Sequence, residues 1–226
     1  MKKVDAESYI ERSVTPFLTL HELLHPFVEL PKKFDREIIG ITTDSRLVKP
    51  GFAFIAHKGY GKYDGRDFIQ DALLSGAVAI VSELSSDQDT KTSLLMPAQQ
   101  KNALVPHVPV SGLTKIIGHI AASFHQQPSR QMQLFGVTGT NGKTTITTLL
   151  ARALNKLQVK TAQIGTHGQG LRDDGLTYTG VTTPGPVALQ NILADMRDAS
   201  CEAVAMEVSS HGIAQHRVVG VDFDTL

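Results

Sequence analysis

Gly136-Val137-Thr138-Gly139-Thr140-Asn141-Gly142-Lys143-Thr144-Thr145 joins two segments of different period. Before it, Gln133-Leu134-Phe135-Gly136-Val137 is a short apolar run of strand type; after it, Ile146, Leu149, Leu150, Ala153, Leu154 and Leu157 recur at helical spacing. The glycines therefore lie at the N-terminus of an amphipathic helix. First-turn N–H groups there have no intrahelical partner, the helix dipole presents its positive end, and glycine lets the main chain come close to an anion. Phosphate is the anion that fits. Lys143 would reach the terminal phosphates of a nucleotide, and the Thr144 hydroxyl would help hold Mg²⁺. The usual Gly-x4-Gly-Lys-[Ser/Thr] spacing wants glycine at position 137, where this chain has Val137 with Gly136 one step earlier. An ordinary glycine turn is the alternative. The flanking strand and helix are the context that the phosphate reading requires.

Composition narrows the remaining classes. A chain of 226 residues suits one large domain or two small ones, and two are expected. Lysine plus arginine and aspartate plus glutamate both number 22, so there is no electrostatic footprint for nucleic acid or an anionic membrane. No apolar run reaches the ~18 residues of a membrane span. Met1-Lys2-Lys3 is followed by Asp5, Glu7 and Glu11 instead of an apolar signal core. The expectation is a cytoplasmic monomer with no membrane insertion. The single cysteine, Cys201, excludes an internal disulfide; placed before Ala203-Val204-Ala205-Met206, it reads as a partly buried structural thiol.

Along the chain, Thr19 with Glu22 resembles a capping box opening a short helix through Leu23 and Leu24. Ile38 to Thr43 and Phe52 to Ala56 read as strands joined by a turn at Val48-Lys49-Pro50-Gly51. A helix from Arg66 to Ser75 ends at Gly76, and Ala77 to Val81 is a buried strand. Ser82 to Ala98 reads as a polar surface excursion, Leu104 to Val110 as a strand broken by prolines, and Leu113 to His125 as a helix. Gln126 to Arg130 reads as a linker, dividing the chain into domains at 1–127 and 128–226. Beyond it the order is strand, phosphate loop, helix, then a strand from Val159 to Ile164, which predicts a parallel sheet with helices on its faces. Residues 165 to 180 read as a mobile glycine-rich loop. A helix follows whose Leu189, Ile192, Leu193 and Met196 share a face, then a strand from Ala203 to Val208, and a last strand from Val219 to Leu226. The fold class is α/β: a small N-terminal α/β domain, then an incomplete phosphate-loop domain with a parallel sheet.

Glu207 ends an apolar strand, at the carboxyl edge where open α/β sheets bind ligands. A buried unpaired carboxylate is costly, so Glu207 is solvated, paired with a cation or neutral; beside a phosphate loop Mg²⁺ is the natural cation, and an exposed strand-end acid with no role is the alternative. Ser209, Ser210, His211, Gln215, His216 and Arg217 follow in a compact polar cluster. His211 and His216 lack a third ligand at familiar spacing and are not assigned to a metal.

Together, Thr138 to Thr145, the pair Thr182-Thr183, and Glu207-Val208-Ser209-Ser210-His211-Gly212 with Gln215-His216-Arg217 resemble the Mur ligases. Within that family they are most similar to the branch that adds the third residue of the peptidoglycan stem peptide. Thr43-Asp44-Ser45-Arg46, Pro50-Gly51, Phe54-Ile55-Ala56 and Asp64-Gly65-Arg66 resemble its UDP-binding domain, and the likeness runs from about residue 38 to the end.

The resemblance implies an ATP-dependent ligase acting on UDP-N-acetylmuramoyl-dipeptide through an acyl phosphate, with meso-diaminopimelate as the default amino acid. It places ATP on Gly139, Thr140, Asn141, Gly142, Lys143, Thr144 and Thr145, catalysis on Lys143 and Glu207, and Mg²⁺ on Thr144 and Glu207. Thr43 and Ser45 would contact the UDP end of the substrate; Thr182, Thr183, Ser209, Gln215 and Arg217 would contact its muramoyl-dipeptide end. Thr182 and Thr183 are equally the residues that cap a helix, and Asp44-Ser45-Arg46 equally a polar turn. The amino-acid-binding domain of the family has no counterpart in this sequence, so the expectation is a fragment unable to complete ligation alone. Folylpolyglutamate synthase-like ligases and a non-catalytic nucleotide-binding remnant are the competing readings.

Overall fold

A computed structural model describes residues 18–59, 63–84, 91–95, 104–171, 175–178 and 180–226. The charge reading at residues 1–11 lies outside these, as do residues 60–62, 85–90, 96–98, 172–174 and 179 of the expected loops. The first half contains β1 (Leu18–Thr19), α1 (Leu20–Leu24), β2 (Glu37–Ile38), β3 (Gly40–Thr42), β4 (Phe52–Ala56), α2 (Ile69–Leu74), β5 (Ala79–Glu83), β6 (Ser93–Leu95), β7 (Val105–Val110) and α3 (Leu113–Phe124). The second contains β8 (Gln133–Val137), α4 (Lys143–Lys156), β9 (Thr161–Gly165), β10 (Gly168–Gly170), α5 (Pro186–Asp198), β11 (Ala203–Glu207) and α6 (Ser210–Ala214). The capping box forms: Glu22 N–H donates to Thr19 Oγ1 and Thr19 N–H to Glu22 Oε2.

Two larger sheets, beside a two-stranded antiparallel pair of β1 and β2, organise these elements among the described residues. The first has the order β3-β4-β5-β7-β6, parallel except for the edge strand β6, and the second has the order β10-β9-β11-β8, parallel except for the edge strand β10. Strand alternation sorts the first core: Phe54 and Ile80 pack toward Leu73 of α2, while Ile55 and Val81 pack with α1 and α3. In the second sheet, Leu134, Ile164, Val204 and Met206 meet Leu189, Leu193 and Met196 of α5. The buried thiol of Cys201 belongs to this core, and burial pushes its pKa up. Among the described residues no helix is long and apolar enough to cross a membrane.

Several expectations need correction. The apolar stripe of α4 does not face the sheet: Ile146, Leu149 and Leu157 are 53, 57 and 73% exposed. Its opposite face meets β9 instead, with Thr147 and Ala151 buried, Thr148 bonded to Gln163, and Asn155 bonded to both main-chain groups of Thr161. Thr144, Thr147, Thr148, Ala151 and Asn155 have the same helical spacing as the apolar residues, so periodicity alone could not choose between the faces. The Ser82–Ala98 excursion contains β6, and the 165–180 loop contains β10, folded back on β9 and bridged from Gln169 to Thr177. β7 runs unbroken through Pro106 and Pro109. The helix expected from Arg66 begins as a tighter 3-10 turn over Gly65–Phe68. Of the strand expected over 219–226, only Thr225 pairs, in one parallel bridge to Phe135.

The halves meet backbone to backbone. Gly118 of α3 lies so close to Val219 that a Cβ at 118 would stand 1.9 Å from the Val219 carbonyl oxygen. Around this point Gln190 Nε2 donates to Gly220 O at 2.9 Å, Arg197 Nη1 to His125 O at 2.6 Å, and Asp222 N–H to Ser129 Oγ at 3.2 Å. The linker residues Pro128 and Ser129 are buried in this seam, and Val187 of α5 joins the core of the first half.

Candidate nucleotide and substrate site

Register brings the expected residues together. β11 pairs with β8 so that Glu207 stands beside Val137, and with β9 so that Met206 stands beside Ile164. The phosphate loop, Glu207 and the segment after Gly165 therefore leave one carboxyl edge side by side, where open parallel sheets bind ligands. α4 opens at Lys143 with Gly142 in the left-handed region (φ +82°) and no side chain capping it. The first-turn N–H groups are thus not occupied by a side-chain cap. Lys143 Nζ donates to the carbonyls of Gly139 at 2.6 Å and Thr140 at 3.4 Å, which holds the ammonium over the loop.

Glu207 is 1% exposed. Thr144 Oγ1 donates to Glu207 Oε2 at 2.9 Å, Thr166 N–H to Oε1 at 2.9 Å, and Thr166 Oγ1 to Oε2 at 3.1 Å. All three donors are neutral. A buried carboxylate in such a seat calls for a cation, and the donor set beside it is one that Mg²⁺ accepts: a carboxylate and a threonine hydroxyl at a phosphate loop. Among the described residues there is no cluster of three His, Cys, Asp or Glu that would hold a metal on its own. Such an ion would depend on phosphate oxygens for much of its coordination.

Thr182 and Thr183 do not cap α5, whose N-cap is Gly185. Thr183 is 1% exposed; its Oγ1 lies 3.2 Å from the main-chain oxygen of Glu207 and accepts the N–H of Ser209. Ser209 Oγ in turn accepts the N–H of Gly212 and caps α6. Arg217 Nη1 donates to Thr183 O at 2.8 Å and its Nε to Gln215 Oε1 at 2.9 Å, fixing the guanidinium. Thr182 Oγ1 lies 3.1 Å from Thr166 Oγ1.

A cleft of about 870 Å³ lies between Gln215 and Arg217 and the first half. Gln215, Arg217 and Pro186 line one wall; Thr43, Ser45 and His57, which follow β3 and β4, line the other. Asp44 caps the turn at Ser45–Leu47, so the polar-turn reading and the cleft reading both hold for this segment. The hydrogen-bonded Arg46 guanidinium keeps the Asp44 carboxyl below its usual range. Burial lowers the His57 pKa, and its Nδ1 has no hydrogen-bond partner among the described residues. Tyr63 stacks on Phe68 and donates its hydroxyl to Thr43 O. Sequence reasoning missed Thr166 and Tyr63. Only strand register could have brought Thr166 to Glu207, because the sequence around it reads as loop.

This is the architecture of an α/β protein with a phosphate-loop-like strand–loop–helix and a cleft between its halves. Residues 37–125 match the family described as "Mur ligase family, catalytic domain", and residues 137–225 match "Mur ligase middle domain". The UDP-N-acetylmuramoyl-L-alanyl-D-glutamate--2,6-diaminopimelate ligase of Pseudomonas putida is 44% identical over 184 residues, covering 81% of this chain and 35% of that protein. The enzyme of that name from Alkalilimnicola ehrlichii is 38% identical over 208 residues, covering 92% and 41%. A solved structure bearing the same name superposes with a TM-score of 0.73 at 29% identity, covering 92% of this chain and 39% of that one. A MurF crystal structure from Acinetobacter baumannii, at 20% identity and a TM-score of 0.52 over 86% of this chain and 36% of its own, shares the fold. The chain belongs to the Mur ligase family. It spans 35 to 41% of the length of these curated relatives.

Proposed function

We propose that this chain forms the UDP-substrate and ATP sites of a ligase that joins a diamino acid, meso-diaminopimelate by default, to UDP-N-acetylmuramoyl-L-alanyl-D-glutamate. The observation that carries this reading is the 2.9 Å bond between Thr144 of the phosphate loop and the buried Glu207, whose main-chain oxygen bonds Thr183, the residue that holds Arg217 in the cleft wall. In this reading the loop amides and Lys143 bind the triphosphate and offset charge on the transferring phosphoryl group. Thr144 and Glu207 hold Mg²⁺, which when bound screens the repulsion between triphosphate and substrate carboxylate. Ser45 and Thr43 receive the nucleotide end of the substrate, and Arg217, Gln215 and Thr182 orient its peptide end toward the phosphates. Thr183 and Ser209 hold that wall in place. The terminal carboxylate takes the γ-phosphoryl group, ADP leaves, and the amine of the incoming amino acid displaces phosphate to form the amide. Both nucleotide substrates are metabolites of the cytoplasm, which is where this reading puts the reaction.

Calorimetric titration tests the assignment. Saturable binding of Mg-ATP and of UDP-N-acetylmuramoyl-dipeptide is expected, with no binding of folates. Binding of folates in preference to the UDP ligand would assign the chain to the folylpolyglutamate branch.

A further inference from the structure

Glu207 has a seat built for it on the neighbouring strand. Its side chain lies flat across Gly165, where an added Cβ would stand 2.2 Å from Oε1 and 2.7 Å from Cδ, and it ends on Thr166. Thr166 makes two of the three side-chain hydrogen bonds recorded at this carboxylate: its N–H fixes Oε1 and its hydroxyl fixes Oε2. The third comes from Thr144, which belongs to the phosphate loop and is itself assigned to the metal. Thr166 therefore holds the carboxylate independently of the loop. Its hydroxyl has one proton. Since Glu207 Oε2 can only accept, Thr166 gives that proton to Glu207 and receives one from Thr182, 3.1 Å away. The chain of donors runs Thr182 to Thr166 to Glu207, from the proposed substrate wall to the proposed metal ligand.

We propose that Thr166 is a positioning residue that aims Glu207 at the magnesium of bound Mg-ATP. The inference rests on the reading of Thr144 and Glu207 as the metal site. Partners of this kind, which orient a ligand without touching the metal, typically set metal affinity by about 10- to 100-fold.

The test uses the 226-residue chain, a non-hydrolysable ATP analogue, and calorimetry with Mg²⁺ or with EDTA. In the wild type, Mg²⁺ tightens binding. Thr166→Val keeps the β-branched shape and the N–H but loses the hydroxyl; the Mg²⁺ enhancement is expected to fall about tenfold or more while affinity in EDTA stays within about twofold. Thr166→Ser is expected to restore the enhancement. Circular dichroism and melting temperature monitor folding of both variants. A full Mg²⁺ enhancement in Thr166→Val, an equal loss of affinity with and without Mg²⁺, or failure of Thr166→Ser to rescue would each overturn the proposal while leaving the metal site standing. A wild type indifferent to Mg²⁺ would overturn the metal assignment and this inference with it.

Discussion

Replacing Gly118 with alanine sets two physical effects against each other, and the structure says which one wins. Gly118 lies inside the helix α3, where alanine is ordinarily better than glycine by about 1 kcal/mol. Propensity alone therefore predicts a rise in stability. The contact predicts the reverse: the new Cβ would lie 1.9 Å from the Val219 carbonyl oxygen and 2.7 Å from its carbon, against 3.4 Å or more for ordinary contact. The obstacle is backbone, so no rotamer change relieves it, and the seam must open by roughly 1.5 Å. Opening strains the bond of Arg197 to His125, which joins the halves. Overpacking costs typically 1–3 kcal/mol, and loss of a seam hydrogen bond adds about 1 kcal/mol. After the propensity gain the net cost is about 1–3 kcal/mol, which for a chain of this size lowers the melting temperature by roughly 2–12 °C. Differential scanning calorimetry reads the shift, and titration with the UDP ligand reads any parting of the cleft walls. An unchanged or raised melting temperature would refute the close packing of α3 on the turn at Val219.

Other substitutions address separate steps. In a full-length ligase carrying this sequence, Lys143→Ala is expected to cut turnover by about 10²-fold or more, measured as ADP release; near-normal turnover would remove Lys143 from the phosphate site. Burial lowers the His107 pKa below its ordinary 6.5 while its Nε2 bonds to Ser82 Oγ at 2.7 Å. The unfolded imidazole therefore binds a proton at higher pH than the folded one, so stability falls as pH drops below about 6.5 and levels off once the folded pKa is passed. His107→Gln should reduce the fall in melting temperature between pH 7 and 5 without abolishing it, because the buried His57 contributes in the same sense; an unaltered slope would refute this. Replacing Ile146 and Leu149 of α4 and Leu157 at its C-cap with glutamine should change stability by no more than about 0.5 kcal/mol per site while reducing self-association in light scattering. A steep loss of stability would mean that the stripe is packed.

The phosphate loop was legible because its chemistry is local: glycines, Lys143 and Thr144 lie within one stretch, between a strand and a helix that announce themselves by period. Glu207 was legible for a related reason, since it ends an apolar run and strand ends carry ligands. Thr166 was not, because what makes it matter is the parallel register of β9 beside β11, a contact 41 residues apart in the chain. α4 shows a different limit. Its apolar and polar faces share one period, and the polar face is the one packed on β9, where Asn155 and Thr148 bond to Thr161 and Gln163. The loop at 165–180 misled for a third reason: Gly168 and Gly170 both sit at positive φ, and there glycine serves the hairpin of β9 and β10.

Glu207 links the two halves of the site through both ends of the residue. Its carboxylate is tied to the phosphate loop by Thr144, while its main-chain oxygen lies within hydrogen-bond distance of Thr183 Oγ1, whose own carbonyl holds Arg217 in the wall of the substrate cleft. The route from loop to cleft thus passes through two buried residues, Glu207 at the end of β11 and Thr183 in the segment before α5, each about 1% exposed. The end of β11 is fixed by its ladder, and Thr183 bonds to Glu207 O and to Ser209 N–H, so the distance between the phosphate seat and the Arg217 guanidinium is set by a buried hydrogen-bonded segment anchored on the sheet. In the proposed reading, a substrate gripped at Arg217 is measured against the triphosphate through this anchored segment. That is what transfer of a phosphoryl group between two anions requires, since the reacting atoms must be held together against their own repulsion.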